Sequence, residues 1–165
     1  MKRRALLASL GVSALAGCGF ELRKAPNFSF SSIFIASAPK STLGNELKRS
    51  MSSGGTVTVL PLDAKPETAQ VIMDVLVDQR EKVVVGLNAS GQVREFQLRT
   101  RFKFRLRTPQ GKELIPETEL LQQRDISFNE SAVLAKEAEE GLLYRDMQTD
   151  IVQQLMRRLA AVKSV

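Results

Sequence analysis

Histidine and tryptophan are absent from this sequence, and cysteine occurs once. A chain without histidine has no imidazole for acid/base work near neutral pH, and one thiol can form neither an intrachain disulfide nor a Cys/His zinc site. Ser-His and Cys-His nucleophile designs fall by the same count. Aspartate and glutamate are plentiful, but no pair of them sits in a recognisable catalytic motif. The expectation is a protein that is not an enzyme, with no catalytic residues, no metal and no cofactor.

Long hydrophobic runs are also lacking. The one extended apolar stretch, Ala5 to Ala16, follows Met1-Lys2-Arg3-Arg4 and is too short to span a bilayer, which takes about 20 apolar residues. A charged start, a short apolar segment and small residues after it form the pattern of a secretory signal. What is present at its end is the single cysteine: Leu15-Ala16-Gly17-Cys18 looks like a bacterial lipobox. There the thiol receives a diacylglycerol, the chain is cut before the cysteine, and the new amino group can take a further acyl chain such as palmitate. Two or three chains anchor a protein stably, since each buried CH₂ contributes about 0.8 kcal/mol. Cys18 is therefore expected to be the lipid anchor. Gly19, in place of the Asp that often retains such proteins in the inner membrane, favours the outer membrane.

The chain has 165 residues, with 24 Lys plus Arg against 18 Asp plus Glu, for a net charge of +6. That length suits one domain of about 100 to 200 residues. Loss of residues 1–17 removes Lys2, Arg3 and Arg4 and no acid, which leaves +3. The expected organisation is a lipoprotein signal peptide at 1–17, a lipidated tether at 18–32 and a single α+β domain at 33–165.

Within that domain, Ile33-Phe34-Ile35 reads as a strand. A helix should follow, capped by Ser41 or Thr42, with Leu43, Leu47 and Met51 on one face and Ser52-Ser53-Gly54-Gly55 as its stop. Strand patterns then occupy 56–60, 69–78, 83–85, 93–107 and 114–127, with turn-rich links at 88–91 and 108–111 of hairpin length. The chain ends in a long helix expected over 131–162, capped by Asn129 or Ser131, with Leu143, Met147, Ile151, Leu155 and Leu159 at i+4 spacing. Gly141 suggests a kink or a close backbone approach there. The order of elements predicts an α+β fold in which two helices pack on one face of a small sheet.

One strand carries a concentrated charge. In residues 98–107, Arg99, Arg101, Lys103, Arg105 and Arg107 point one way and Leu98, Phe102, Phe104 and Leu106 the other. Like charges so spaced need acidic neighbours or an anionic partner. A tight hairpin at 108–111 would set Arg107 opposite Glu113, Lys103 opposite Glu117 and Arg101 opposite Glu119. Arg99, facing Leu121, and Arg105, facing Ile115, would remain unpaired and become candidates for an anionic ligand. Nucleic acid is not expected, because an exported lipoprotein does not ordinarily meet it and Phe102 and Phe104 are committed to the apolar face.

Several landmarks together resemble the LptE family of lipopolysaccharide-assembly lipoproteins. They are Gly17-Cys18-Gly19-Phe20 with Leu22-Arg23, Glu95-Phe96-Gln97-Leu98 entering the alternating strand, Arg124 before Phe128, and Leu134-Ala135-Lys136 followed by Met147 and Gln154-Leu155. The resemblance implies two helices on a mostly antiparallel four-stranded sheet. It also implies a 1:1 partnership with the outer-membrane barrel LptD, which the family member plugs and helps assemble, and contact with lipopolysaccharide bound for the outer leaflet. The family's basic contact in the Leu-Ala-Lys motif falls on Lys136. Its hairpin-tip contact falls on Ala89, leaving Arg94 as the nearest cation. The alternative reading is a free-standing periplasmic lipoprotein that binds a lipid or another anionic ligand without an obligate barrel.

Overall fold

The computed structural model describes residues 26–164, so Cys18, the signal peptide and most of the tether lie outside the described residues. The elements are β1 (Ser32–Ala36), α1 (Thr42–Ser53), β2 (Thr58–Leu60), β3 (Val71–Leu87), β4 (Val93–Arg107), β5 (Glu113–Ser127) and α2 (Val133–Ala160). Short 3-10 turns precede β3 at Pro66–Thr68 and α2 at Glu130–Ala132.

The class is α+β with two helices on one face of the sheet, but the sheet differs from the expectation of four mostly antiparallel strands. It has five, in the order β2-β1-β3-β4-β5. β1 runs parallel to both β2 and β3, and β3, β4 and β5 are antiparallel. The reason lies in connection length. A helix between β1 and β2 cannot close a hairpin, and such a crossover leaves its two strands parallel. The segments at 69–78 and 83–85 are one strand of 17 residues. Polar Gln79-Arg80-Glu81-Lys82 reads as a break in sequence, yet each of these residues is paired with β4.

The β4–β5 register also departs from the tight-hairpin expectation. Arg107 does face Glu113, but the pairing then slips, so that Lys103 faces Glu119, Arg101 faces Leu121 and Arg99 faces Gln123. Pro116 sits in the slipped segment, and a proline without an N–H is accommodated where the ladder is interrupted.

Ser41 caps α1, its side chain accepting from the Gly44 N–H at 2.7 Å, and Leu43, Leu47 and Met51 are buried as the spacing requires. Asn129 caps the 3-10 turn ahead of α2 by accepting from the Ser131 N–H at 3.0 Å. At about 1.5 Å per residue α2 is roughly 42 Å long. A side chain at Gly141 would meet nothing within 4 Å, so there is no close backbone approach at that position. Among the described residues, no helix is long and apolar enough to cross a membrane.

The main core joins both helices to β1, β3 and β4 through Ile33, Ile35, Leu47, Met73, Phe102, Phe104, Leu155 and their neighbours. A smaller one holds Leu98, Ile126, Tyr144 and Met147 under the middle of α2. Phe34 alternates to the opposite face and clusters with Ala69 and Ile72, so the link between β2 and β3 covers that corner of the sheet.

Candidate functional site

The odd-numbered residues of β4 point away from the helices, and Arg99, Arg101, Lys103, Arg105 and Arg107 line the open face. Asp74 of β3 lies among them. Its Oδ2 accepts from Arg105 Nε and Arg107 Nε, both at 2.8 Å, and its Oδ1 accepts from Arg107 Nη2 at 3.3 Å. Burial alone would raise the Asp74 carboxyl, but the hydrogen bonds and charges of Arg107 and Arg105 outweigh it and hold the group below the ordinary carboxylate range. The Arg107 guanidinium is raised in turn, chiefly by its hydrogen bond to Asp74.

Further along the face, Lys103 Nζ donates to Glu117 at 2.6 Å, and Arg101 stands between Glu81 at 3.5 Å and Glu119 at 3.4 Å. The Lys103–Glu117 and Arg101–Glu119 pairs expected from the sequence therefore form, as diagonal contacts across the slipped register. Two expectations need correction. Arg107 bonds Asp74 on the other neighbouring strand, and Arg105, expected to be unpaired, is held by the same carboxylate. Sequence spacing brings β5 to mind because the β4–β5 link is short. Asp74 is paired with Arg105 in the ladder, but from the far side of a long hairpin. Arg99 keeps its expected character: its Nε donates to Gln97 Oε1 at 2.8 Å, and among the described residues it has no carboxylate partner. Its ladder partner on β3 is Glu81, whose carboxylate lies against Arg101 instead.

Lys136 belongs to a separate place, between the first turns of α2 and the far ends of β4 and β5. Its Nζ donates to Ser127 Oγ at 3.0 Å and to Glu139 at 2.9 Å. It lines a small cavity of 60 Å³ together with Lys82, Phe96, Ile126, Phe128 and Val133, and Glu137 and Glu140 also border it. Lys82 Nζ lies 4.4 Å from the centre of the Phe96 ring and pairs with Glu140 at 2.6 Å. Phe96 and Phe128 meet edge to face at 5.4 Å. Arg94 is exposed near the hairpin, and its carbonyl accepts from the Phe128 N–H at 2.8 Å. The four candidate cations are thus not one cluster. Arg99 and Arg105 lie on the open face, while Lys136 sits with Lys82 at the small cavity, whose lining mixes apolar and charged side chains.

The whole frame, from the segment before β1 to the last turn of α2, matches the family model described as LptE, lipopolysaccharide-assembly, over residues 30–159. The chain belongs to the LptE family. It is similar to the solution structure of an uncharacterized lipoprotein B from Nitrosomonas europaea at 35% identity and a TM-score of 0.72, covering 87% of this chain and 91% of that one. The rare lipoprotein B of Shewanella oneidensis shares the fold at 18% identity and a TM-score of 0.64, covering 79% of this chain and 95% of that one. So does a minor lipoprotein of Acinetobacter baumannii, at 19% identity and a TM-score of 0.61, with 82% and 94% covered. The search of curated proteins gave no match.

Sequence reasoning missed two residues of this LptE-family chain that shape the candidate surfaces. Asp74 decides which cations of β4 are free, and Lys82 is the second ammonium at the cavity of Lys136. The available clue to Lys82 was the spacing of Arg80 and Lys82 on one strand face. A third feature, a buried polar hub at Gln148, gave no sign beyond a glutamine beside the apolar stripe. Gln148 Oε1 accepts from Arg80 Nη2 at 2.7 Å and from Thr42 Oγ1 at 2.8 Å, and its amide nitrogen donates to Glu46.

Proposed function

We propose that this protein is an outer-membrane lipoprotein, anchored through acyl chains on Cys18, that plugs the LptD barrel, assists its assembly and binds lipopolysaccharide on its way to the outer leaflet. It acts by binding, not by bond-making chemistry. The observation that carries this reading is the family match across residues 30–159, which runs from the segment before β1 into the last turn of α2.

The open face of the sheet supports it physically. The lumen of a membrane barrel is polar, and a face of alternating carboxylates and guanidiniums can meet such a wall without burying unpaired charge. For lipopolysaccharide phosphates the open-face cation is Arg99, which no carboxylate neutralises among the described residues. Lys136 is the candidate at the small cavity beside Phe96 and Phe128, with Arg94 near the hairpin as a further cation. Arg105 contributes less, because a phosphate would have to displace Asp74.

The test is depletion in the native host together with copurification from detergent-solubilised outer membranes. The reading expects loss of mature barrel, less lipopolysaccharide at the surface, and an equimolar complex of this protein with a barrel of LptD size. Normal barrel maturation and surface lipopolysaccharide after depletion, or the absence of that barrel from the complex, would overturn it.

A further inference from the structure

The helix-facing side of the sheet is crossed by one polar row. Arg80 of β3, Thr100 of β4 and Gln122 of β5 are in register with one another, and Arg80 reaches Gln148 of α2 at 2.7 Å. Thr100 occupies the place in the β4 pattern where Leu98, Phe102, Phe104 and Leu106 would call for another apolar residue. It is 1% exposed, and among the described residues its hydroxyl has no hydrogen-bond partner.

On one side of this row lies the main core, with seventeen buried residues; on the other lies a cluster of four, Leu98, Ile126, Tyr144 and Met147. The two sides also differ in what covers them. Leu87 and Leu134 on the smaller side are 61% and 82% exposed. The chain enters α2 there through Ala132, whose side chain offers no cap. Apolar burial is the main source of cooperativity between packed elements. A polar row that is buried at Thr100 and Gln148, half-buried at Gln122 and exposed at Arg80, with an unsatisfied hydroxyl at its centre, interrupts it.

We infer that the row Arg80-Thr100-Gln122-Gln148 is a seam, and that the part beyond it opens as a unit while the main core stays folded. That unit comprises the outer half of the β3–β4 hairpin, the end of β5 and the first half of α2. Opening separates the start of α2 from the sheet and bares Phe96, Leu98, Ile126 and Met147 beneath Lys82 and Lys136. Binding surfaces are commonly drawn from such low-stability units. The inference stands on packing and does not depend on which ligand or partner the protein has.

Native-state hydrogen exchange on the purified protein tests it. Amides in 95–99, 123–127 and 134–147 are expected to exchange at least 10-fold faster than those of Met73, Phe104, Val152 and Leu155, with a shared and smaller dependence on denaturant. Leu98→Ala should speed the first set several-fold and leave the second unchanged. Thr100→Val, which removes the unpaired hydroxyl and joins the two cores, should slow the first set. A single rate and denaturant dependence for both sets in the unsubstituted protein, or equal acceleration of both by Leu98→Ala, would overturn the inference.

Discussion

Asp74 holds Arg107 through both carboxylate oxygens, Oδ2 at 2.8 Å from Nε and Oδ1 at 3.3 Å from Nη2, and so ties β3 to β4 on the open face. This pair gives the protein an acid-sensitive bond. The folded-state pKa of Asp74 lies below its ordinary value, so the stabilisation is fully present above about pH 4 and is lost as the pH falls through the lower folded value. Asp74→Asn should cost about 1 kcal/mol at pH 7, in keeping with charge-assisted hydrogen bonds at a partly exposed site. It should also flatten the fall in stability below pH 4. Urea unfolding at pH 7 and pH 3 checks both, and a variant that loses stability with acid as steeply as the parent would refute the assignment.

Two glycines in helices should respond in opposite directions to alanine. A Cβ at Gly44 would lie 2.6 Å from Ser37 Oγ and 2.8 Å from Ser41 Oγ, whereas one at Gly141 meets nothing within 4 Å. Alanine in a helix gains about 1 kcal/mol over glycine. Gly141→Ala should therefore stabilise by about 0.5 to 1 kcal/mol. Gly44→Ala should destabilise by about 1 to 3 kcal/mol, because overpacking against the capping serine outweighs the helix preference. Thermal unfolding of the two variants reads the difference in sign.

Gln148 joins both helices to β3, and its loss should be felt beyond one hydrogen bond. Gln148→Ala leaves Arg80, Thr42 and Glu46 without their shared partner. A cost of about 1 to 2 kcal/mol is expected: Gln148 itself is buried, whereas Arg80 and Thr42 are exposed and keep their bond to each other. A midpoint shift in urea corresponding to less than about 0.5 kcal/mol would show that water replaces the amide.

The cations of β4 should be unequal in ligand binding. Arg99→Gln is expected to weaken binding of purified lipopolysaccharide several-fold, and Arg105→Gln to change it little, since Arg105 is already engaged by Asp74. Lys136→Gln should act independently of Arg99→Gln, because the two residues lie on different surfaces. Titration with labelled lipopolysaccharide decides, and equal effects of Arg99 and Arg105 would refute the ranking.

Much of this was legible in the sequence because it rests on period and punctuation. The i+4 stripe fixed the buried face of α2, and Ser41 was recognisable as a cap. The alternation in 98–107 placed the cations on one face of β4, opposite the core. What sequence could not supply was pairing between distant segments. The contact of Asp74 with Arg105 and Arg107 depends on β3 being one uninterrupted strand, which its polar middle disguised. The diagonal contacts of Lys103 and Arg101 depend on a slip in register at a proline. The crossover helix implies that β1 and β2 run parallel, but neither the parallel placement of β1 against β3 nor the count of strands follows from it.

That parallel placement makes the molecule a directed rod. Because β1 begins beside Val71 and runs with β3, the chain enters the domain at the end opposite the β3–β4 turn. β3 separates the two by 17 residues, or roughly 55 Å at about 3.3 Å per residue. Whatever holds the amino-terminal end therefore also aims the hairpin, and a small tilt at the point of attachment becomes a large sweep at the tip.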